Sequence, residues 1–406
     1  MIRWEEHRHV PQGVAAILAA LRFHERAVDF AALDEAALRF ADRAQCTLVF
    51  GQRCHAELPE WARRRIAENL AHNRARLARL RAAFAEIATA LEHACIRTVV
   101  LKGFAHGPDY VPDPALRVQY DFDLYTPDSA ASARDALLTL GYEPLEGAEE
   151  FPTDHLPTLI RKTGWQWRGD FFDPELPPAV DLHFRLWDER TEGFSAPGLE
   201  AFWPRRAPGP LGRFHPVDAL GYAALHLLRH LLRGSLRPYH VYELAHFLEA
   251  RQADEAFWAA WLESHPHELR RLETLAFLLS AEWFACRLPP AVEESAALLP
   301  AAVHRWLARS AAAPLEACFR PNKEELGLHL LLLSTRRSKA AVLRRRLLPT
   351  RLPGPVDSVH IPESRMTWKL RVRKRARYAA FLLSRAWFHV RALSSAARSI
   401  FSSISS

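Results

Sequence analysis

Three acids and one basic turn stand out for what their types and spacing can do. Asp121 and Asp123 lie two residues apart in Asp121-Phe-Asp-Leu-Tyr125, an alternating run that reads as a strand. Residues i and i+2 of a strand point to the same face, so the two carboxylates can bridge hard cations together. Asp181, in Val180-Asp-Leu-His-Phe-Arg-Leu186, offers a third carboxylate from another strand. Such a set suits one or two Mg²⁺ ions, and two metals about 3.5–4 Å apart stabilise both oxygens of an in-line phosphoryl displacement. Lys102-Gly103 follows the β-like run Thr98-Val-Val-Leu101. A glycine turn after a strand lets backbone N–H groups approach a triphosphate, and Lys102 and Arg117 add positive charge. A lone DxD or a lone KG turn is commonplace. Strand, KG, Arg, DxD and a later strand acid within about eighty residues form a constellation.

Histidines extend the set. His183, two residues after Asp181, points to the same side as that acid, to contact substrate or to orient the carboxylate. His226 and His230 stand four apart on one helix face, placed to pack the helix or to line an acceptor cleft. With no third ligand at metal-site spacing, no zinc site is expected there. GxxxxGK[ST], GxGxxG and HExxH are all absent, so P-loop, Rossmann and zincin chemistry lack support.

The elements that must position these groups follow from periodicity. Residues 1–95 read as an N-terminal helical region, with Leu77, Leu80, Phe84, Ile87 and Leu91 striping one helix face. Residues 96–203 read as a mixed α/β core, with a short helix toward Tyr110, a helix capped by Asp128 and closed at Gly141, and further strands at Trp165–Phe172 and Val180–Trp187. The Pro/Gly-rich stretch 204–216 reads as a linker, and 217–348 as a C-terminal helical domain. The last segment, 349–406, combines an irregular Pro-containing stretch with a basic amphipathic tail, in which Val372, Ala376, Ala379, Leu383, Trp387, Val390, Ala397 and Phe401 form an apolar stripe.

Composition bounds the rest. At 406 residues, 49% apolar and 25% charged, the chain is ordinary for a globular protein of two or three domains, which excludes fibrous and disordered classes. Five scattered cysteines make no disulfide framework, and no apolar run reaches bilayer length. A cytoplasmic protein is expected. The net charge of +7 is uneven: from Arg336 onward 17 Lys and Arg face only Asp357 and Glu363, a local +15 that leaves −8 on the other 335 residues. The tail is therefore expected to dock on its own acidic body, with an anionic membrane surface or nucleic acid as the alternatives.

Leu101-Lys-Gly103, Tyr110, Arg117, Asp121-Phe-Asp-Leu124, Gly141-Tyr142 and Val180-Asp-Leu-His183 together resemble the uncharacterised bacterial nucleotidyltransferases of the DNA-polymerase-β-like, minimal nucleotidyltransferase superfamily. His226-Leu-Leu-Arg-His230 and Leu236-Arg-Pro-Tyr-His-Val-Tyr-Glu-Leu244 extend the resemblance downstream, with Glu243 where relatives usually carry Asp. The resemblance implies an α+β fold with a small mixed sheet, flanking helices and helical regions at both ends. It implies transfer of a nucleoside monophosphate from an NTP, foremost ATP, to an acceptor that is a protein, peptide, sugar or RNA, with pyrophosphate released. Asp121, Asp123 and Asp181 would be the catalytic metal ligands for Mg²⁺, and Lys102, Gly103 and Arg117 would hold the nucleotide phosphates. His183, His226 and His230 would line the substrate. Two other readings stand beside it: a catalytically silent nucleotide-binding module, and a phosphotransferase using the same site.

Overall fold

The computed structural model describes every residue except 8, 27–28, 107–108, 146–153, 210, 348–366 and 405–406, with side chains left out at 370, 374 and 393–404. The Pro-containing stretch expected to be irregular, and the stripe side chains of Ala397 and Phe401, lie outside the described residues.

A six-stranded mixed sheet is the scaffold of the site. Its strands are β1 (Thr98–Val100), β2 (Asp121–Tyr125), β3 (Tyr142–Pro144), β4 (Leu159–Arg161), β5 (Ala179–His183) and β6 (Leu211–Arg213), in the order β3-β4-β5-β2-β1-β6. β2 runs parallel to β5 and antiparallel to β1, and β1 runs parallel to β6. The period-2 alternation of β2 and β5 sends Phe122, Leu124, Val180 and Leu182 to one face. There they bury against Leu80, Ile87 and Leu91 of the Glu60–His93 helix and Ala133 and Leu137 of the Ala130–Thr139 helix. That face is dry, so the acids of the alternate positions are turned to the opposite face. The chain is thus a mixed α+β fold.

Four local expectations are corrected. Trp165–Phe172 is not a strand: Gly164 and Gly169 take φ of +77° and +85°, and Asp170 Oδ1 accepts a hydrogen bond from Phe172 N, so the run turns instead of extending. The strand missed in its place is Leu159–Arg161, and the one expected over Val180–Trp187 ends at His183. The 204–216 stretch, expected as a linker, supplies β6, because Gly212 has no Cβ to meet the Ala207 carbonyl oxygen, which would lie at 2.7 Å. After Lys102-Gly103 the short helix is a single 3₁₀ turn, Gly103–Ala105.

The larger core belongs to helices. Pro216–Arg233, Pro238–Arg251 and His267–Phe284 pack together, and the N-terminal helices Gln12–Ala20 and Thr47–Cys54 join that core rather than the sheet. Ile2 N donates to Glu282 O, Phe23 N to Phe284 O, and the Trp4 indole to Trp283 O. The Trp368–Ile404 helix meets the Glu324–Leu332 helix, with Ala392 fully covered and Phe388 half-buried. The expected stripe is not its packed face: Val372, Leu383, Trp387 and Val390 are exposed. Among the described residues no helix is long and apolar enough to cross a membrane.

Candidate active site

β2 and β5 bring the three acids together. Their parallel register sets Asp123 beside Asp181, and the two-residue period adds Asp121 on the same face. One ligand oxygen from each of Asp121, Asp123 and Asp181 lies within 4.8 Å of the others. They line a polar pocket of about 230 Å³, whose other walls include Lys102, Arg117, Asp154, His183, His226, Arg229, His230 and His240.

Each acid has a different environment. Asp123 is almost fully buried, with Lys102 Nζ 3.1 Å from Oδ2 and His183 Nε2 3.2 Å from Oδ1. Burial alone would raise its carboxyl, but Lys102 and His183 hold it well below the usual carboxylate range. Asp121 stays half-exposed, 3.9 Å from Lys102; burial raises its carboxyl, and its two carboxylate neighbours add to this against the pull of Lys102. Asp181 accepts a 2.6 Å hydrogen bond from Thr158 Oγ1. Asp123 Oδ2 is buried and faces Lys102 without an aligned hydrogen bond, which leaves a lone pair for a cation. Three carboxylates converging on one such point fit hard divalent ions.

Lys102 and Arg117, two of the residues expected to hold phosphates, line the same pocket. Gly103 holds φ of +65°, and a Cβ there would meet the Gln119 side chain at 2.5 Å. Gln119 Nε2 in turn donates to the Asp121 carbonyl, tying the KG turn to β2. Lys102 bridges the acids on one side and lies 3.4 Å from His226 Nε2 on the other. Arg117 also reaches the pocket, but its Nε donates to Glu243 at 2.7 Å. Glu243 accepts from Arg117 and meets His106, and these partners overcome burial to hold it at about 2.

His183 turns to Asp123 and not to Asp181 two residues before it. Its Nδ1 faces Asp154 at 3.4 Å, and Arg229 pairs with the same Asp154. Burial opposes a charge on the ring, yet Asp123 and Asp154 raise it to about 9, so it stands as a cation between two carboxylates.

His226 and His230 line the pocket, and folding brings a third imidazole, His240, beside them. Gly234, at φ +69°, ends the Pro216–Arg233 helix, and Pro238 opens the next one. That tight connection swings His240 onto His226 and His230, with ring centroids 5.0 and 5.2 Å away. Burial, with neighbouring cations, holds His226 well below its ordinary value and His230 at about 3, so both rings are neutral. Asp154, Arg229 and His240 were missed because only folding brings them here; Glu243 and its Arg117 partner lie 126 positions apart.

No curated protein and no solved structure is matched by the chain. A family model described as uncharacterised nucleotidyltransferase matches residues 35–285, more than half of the sequence and the whole stretch carrying the acids, the KG turn and the histidines. By that match, the chain belongs to the uncharacterised nucleotidyltransferase family.

Proposed function

We propose that the protein moves a nucleoside monophosphate from an NTP, ATP foremost, to an acceptor and releases pyrophosphate, on a polymerase-β-like core spanning residues 96–203 and extended by β6. The observation that carries this reading is the register pairing of Asp123 with Asp181, with Asp121 beside them on one sheet face. Mg²⁺ ions held there would supply charge stabilisation to the attacking and leaving oxygens. Asp121, Asp123 and Asp181 would hold the ions, and Asp181 would help take the proton of an acceptor hydroxyl. Lys102 and the Gly103 backbone hold the phosphates, with Arg117 kept at the rim by Glu243. His183, charged and buried, keeps Asp123 ionised and aimed.

The test is incubation with each α-labelled NTP, Mg²⁺ and cell lysate. Label joined to an acceptor, with pyrophosphate released, supports the reading. ADP release would point to phosphotransfer, and neither product to a silent binding module; both outcomes overturn it.

A further inference from the structure

We infer that His226, His230 and His240 form a second metal site, for Zn²⁺, across the pocket from the three acids. The inference does not depend on nucleotidyl transfer. One ligand nitrogen from each ring lies within 4.8 Å of the others, and His226 Nε2 and His230 Nε2 are 3.1 Å apart. A tetrahedral zinc with Zn–N bonds of about 2.0–2.1 Å sets its nitrogens roughly 3.3 Å apart, so the closer pair already has ligand spacing. The three ring centroids are 4.5, 5.0 and 5.2 Å from one another, a triangle around one point rather than a stack.

Partners of the rings favour the same reading. His106, His183 and His265 each face a carboxylate, whereas among the described residues none of these three does. His230 Nδ1 is hydrogen-bonded to Ser235 Oγ at 3.0 Å, which directs Nε2 toward His226 as supporting bonds do in histidine-metal sites. His240 Nδ1 is buried without a hydrogen-bond partner. Nearby charge does not forbid a cation. Arg229 pairs with Asp154 and Arg233 with Glu192; Lys102 Nζ sits between the two donor sets, 3.1 Å from Asp123 Oδ2 and 3.4 Å from His226 Nε2, and on metal binding would give up the histidine and keep the acid. Imidazole nitrogens select zinc-like ions and carboxylates select magnesium, so the two donor sets divide the metals between them. Three protein ligands leave a fourth position open, on the pocket side, for water.

The experiment is a titration of the chelator-treated full chain with Zn²⁺ by calorimetry and with Co²⁺ by visible absorption, with and without excess Mg²⁺. A single ion should bind, with the intense absorption of tetrahedral Co²⁺, and Mg²⁺ should not compete. His240→Gln should weaken binding on the order of 100-fold, and Ser235→Ala by about tenfold, with circular dichroism unchanged. Asp121→Asn and Asp181→Asn should leave it within a few-fold. Absence of binding to the wild-type chain would overturn the inference, as would unchanged affinity in His240→Gln. So would loss of the ion in the Asp variants or displacement by Mg²⁺, either of which would put it among the acids.

Discussion

At the scale of single residues, the three acids differ more than their shared role suggests. Repulsion within a carboxylate cluster leads one to expect that each could be removed without harm to the fold. The surroundings of Asp123 change that for one of them. It is 4% exposed and faces both Lys102 and His183, so Asp123→Ala takes the nearer acid from two buried cations, leaving Lys102 only Asp121 at 3.9 Å and His183 only Asp154. A loss of about 1–3 kcal/mol of stability is expected, read by denaturant unfolding. Asp121→Asn and Asp181→Asn should unfold within about 1 kcal/mol of wild type, since each keeps its shape and sheds like-charge repulsion. Both should nonetheless lower the transfer rate on the order of 10²–10³-fold, the scale of a lost electrostatic stabiliser. Transfer within a few-fold of wild type in either variant would remove the assigned metal role.

At the scale of elements, β6 and the His265 cluster carry the tests. Gly212 admits the Ala207 carbonyl where any side chain would clash with backbone, so Gly212→Val should cost about 1–3 kcal/mol and loosen the sheet edge beside β1. Amide hydrogen exchange across 98–100 and 211–213 reads that loosening, and unchanged protection would contradict it. His265 joins two helices: its Nε2 is 3.1 Å from Asp218, which also pairs with Arg205, and its Nδ1 is 2.8 Å from Glu273. Burial opposes its charge, yet the two acids raise it from an ordinary 6.5 to about 9. The folded state therefore holds its proton more tightly than the unfolded one. The resulting stabilisation, on the order of a few kcal/mol, is complete below about pH 6.5 and is lost as pH rises through 9. His265→Gln should be less stable at pH 6, and the gap to wild type should close by pH 9.5, measured by unfolding at each pH.

At the scale of the whole molecule, the pocket lies between the acid-bearing sheet face and the two helices that bear the histidines. Residues from the first fifty join the helical core, while Glu60–His93 covers the back of the sheet, so the N-terminal segment clamps both parts. The last helix adds a contact through Phe388 and Ala392 and leaves Leu383 and Trp387 facing outward at 72% and 63% exposure. Ala392→Arg should thus lower the melting temperature, at a cost of about 1–3 kcal/mol, whereas Leu383→Ser with Trp387→Ser should not. If the serine pair destabilised the chain instead, the stripe would be a packed face after all. Association through this outward stripe and its arginines is read by comparing vesicle and RNA binding of the wild-type chain and the same serine variant.

Sequence alone determined what local spacing can encode. The Asp121-x-Asp123 pair shares a face because strands have a period of two, the KG turn follows β1, and the heptad-like stripe of Leu80, Ile87 and Leu91 covers the sheet. It also carried the family, since those motifs are contiguous. Other outcomes depended on groups far apart in the chain. Leu211–Arg213 became a strand only because β1 offered an open edge and Gly212 fitted beneath Ala207. The stripe on the last helix was legible, but the face that packs is the one meeting the Glu324–Leu332 helix, which lies far away in the sequence. Asp154 entered the site through His183, and His240 through a helix turn at Gly234. Tertiary structure decided these because burial makes an unpaired charge or polar atom costly, so each partner is found in space and not in sequence.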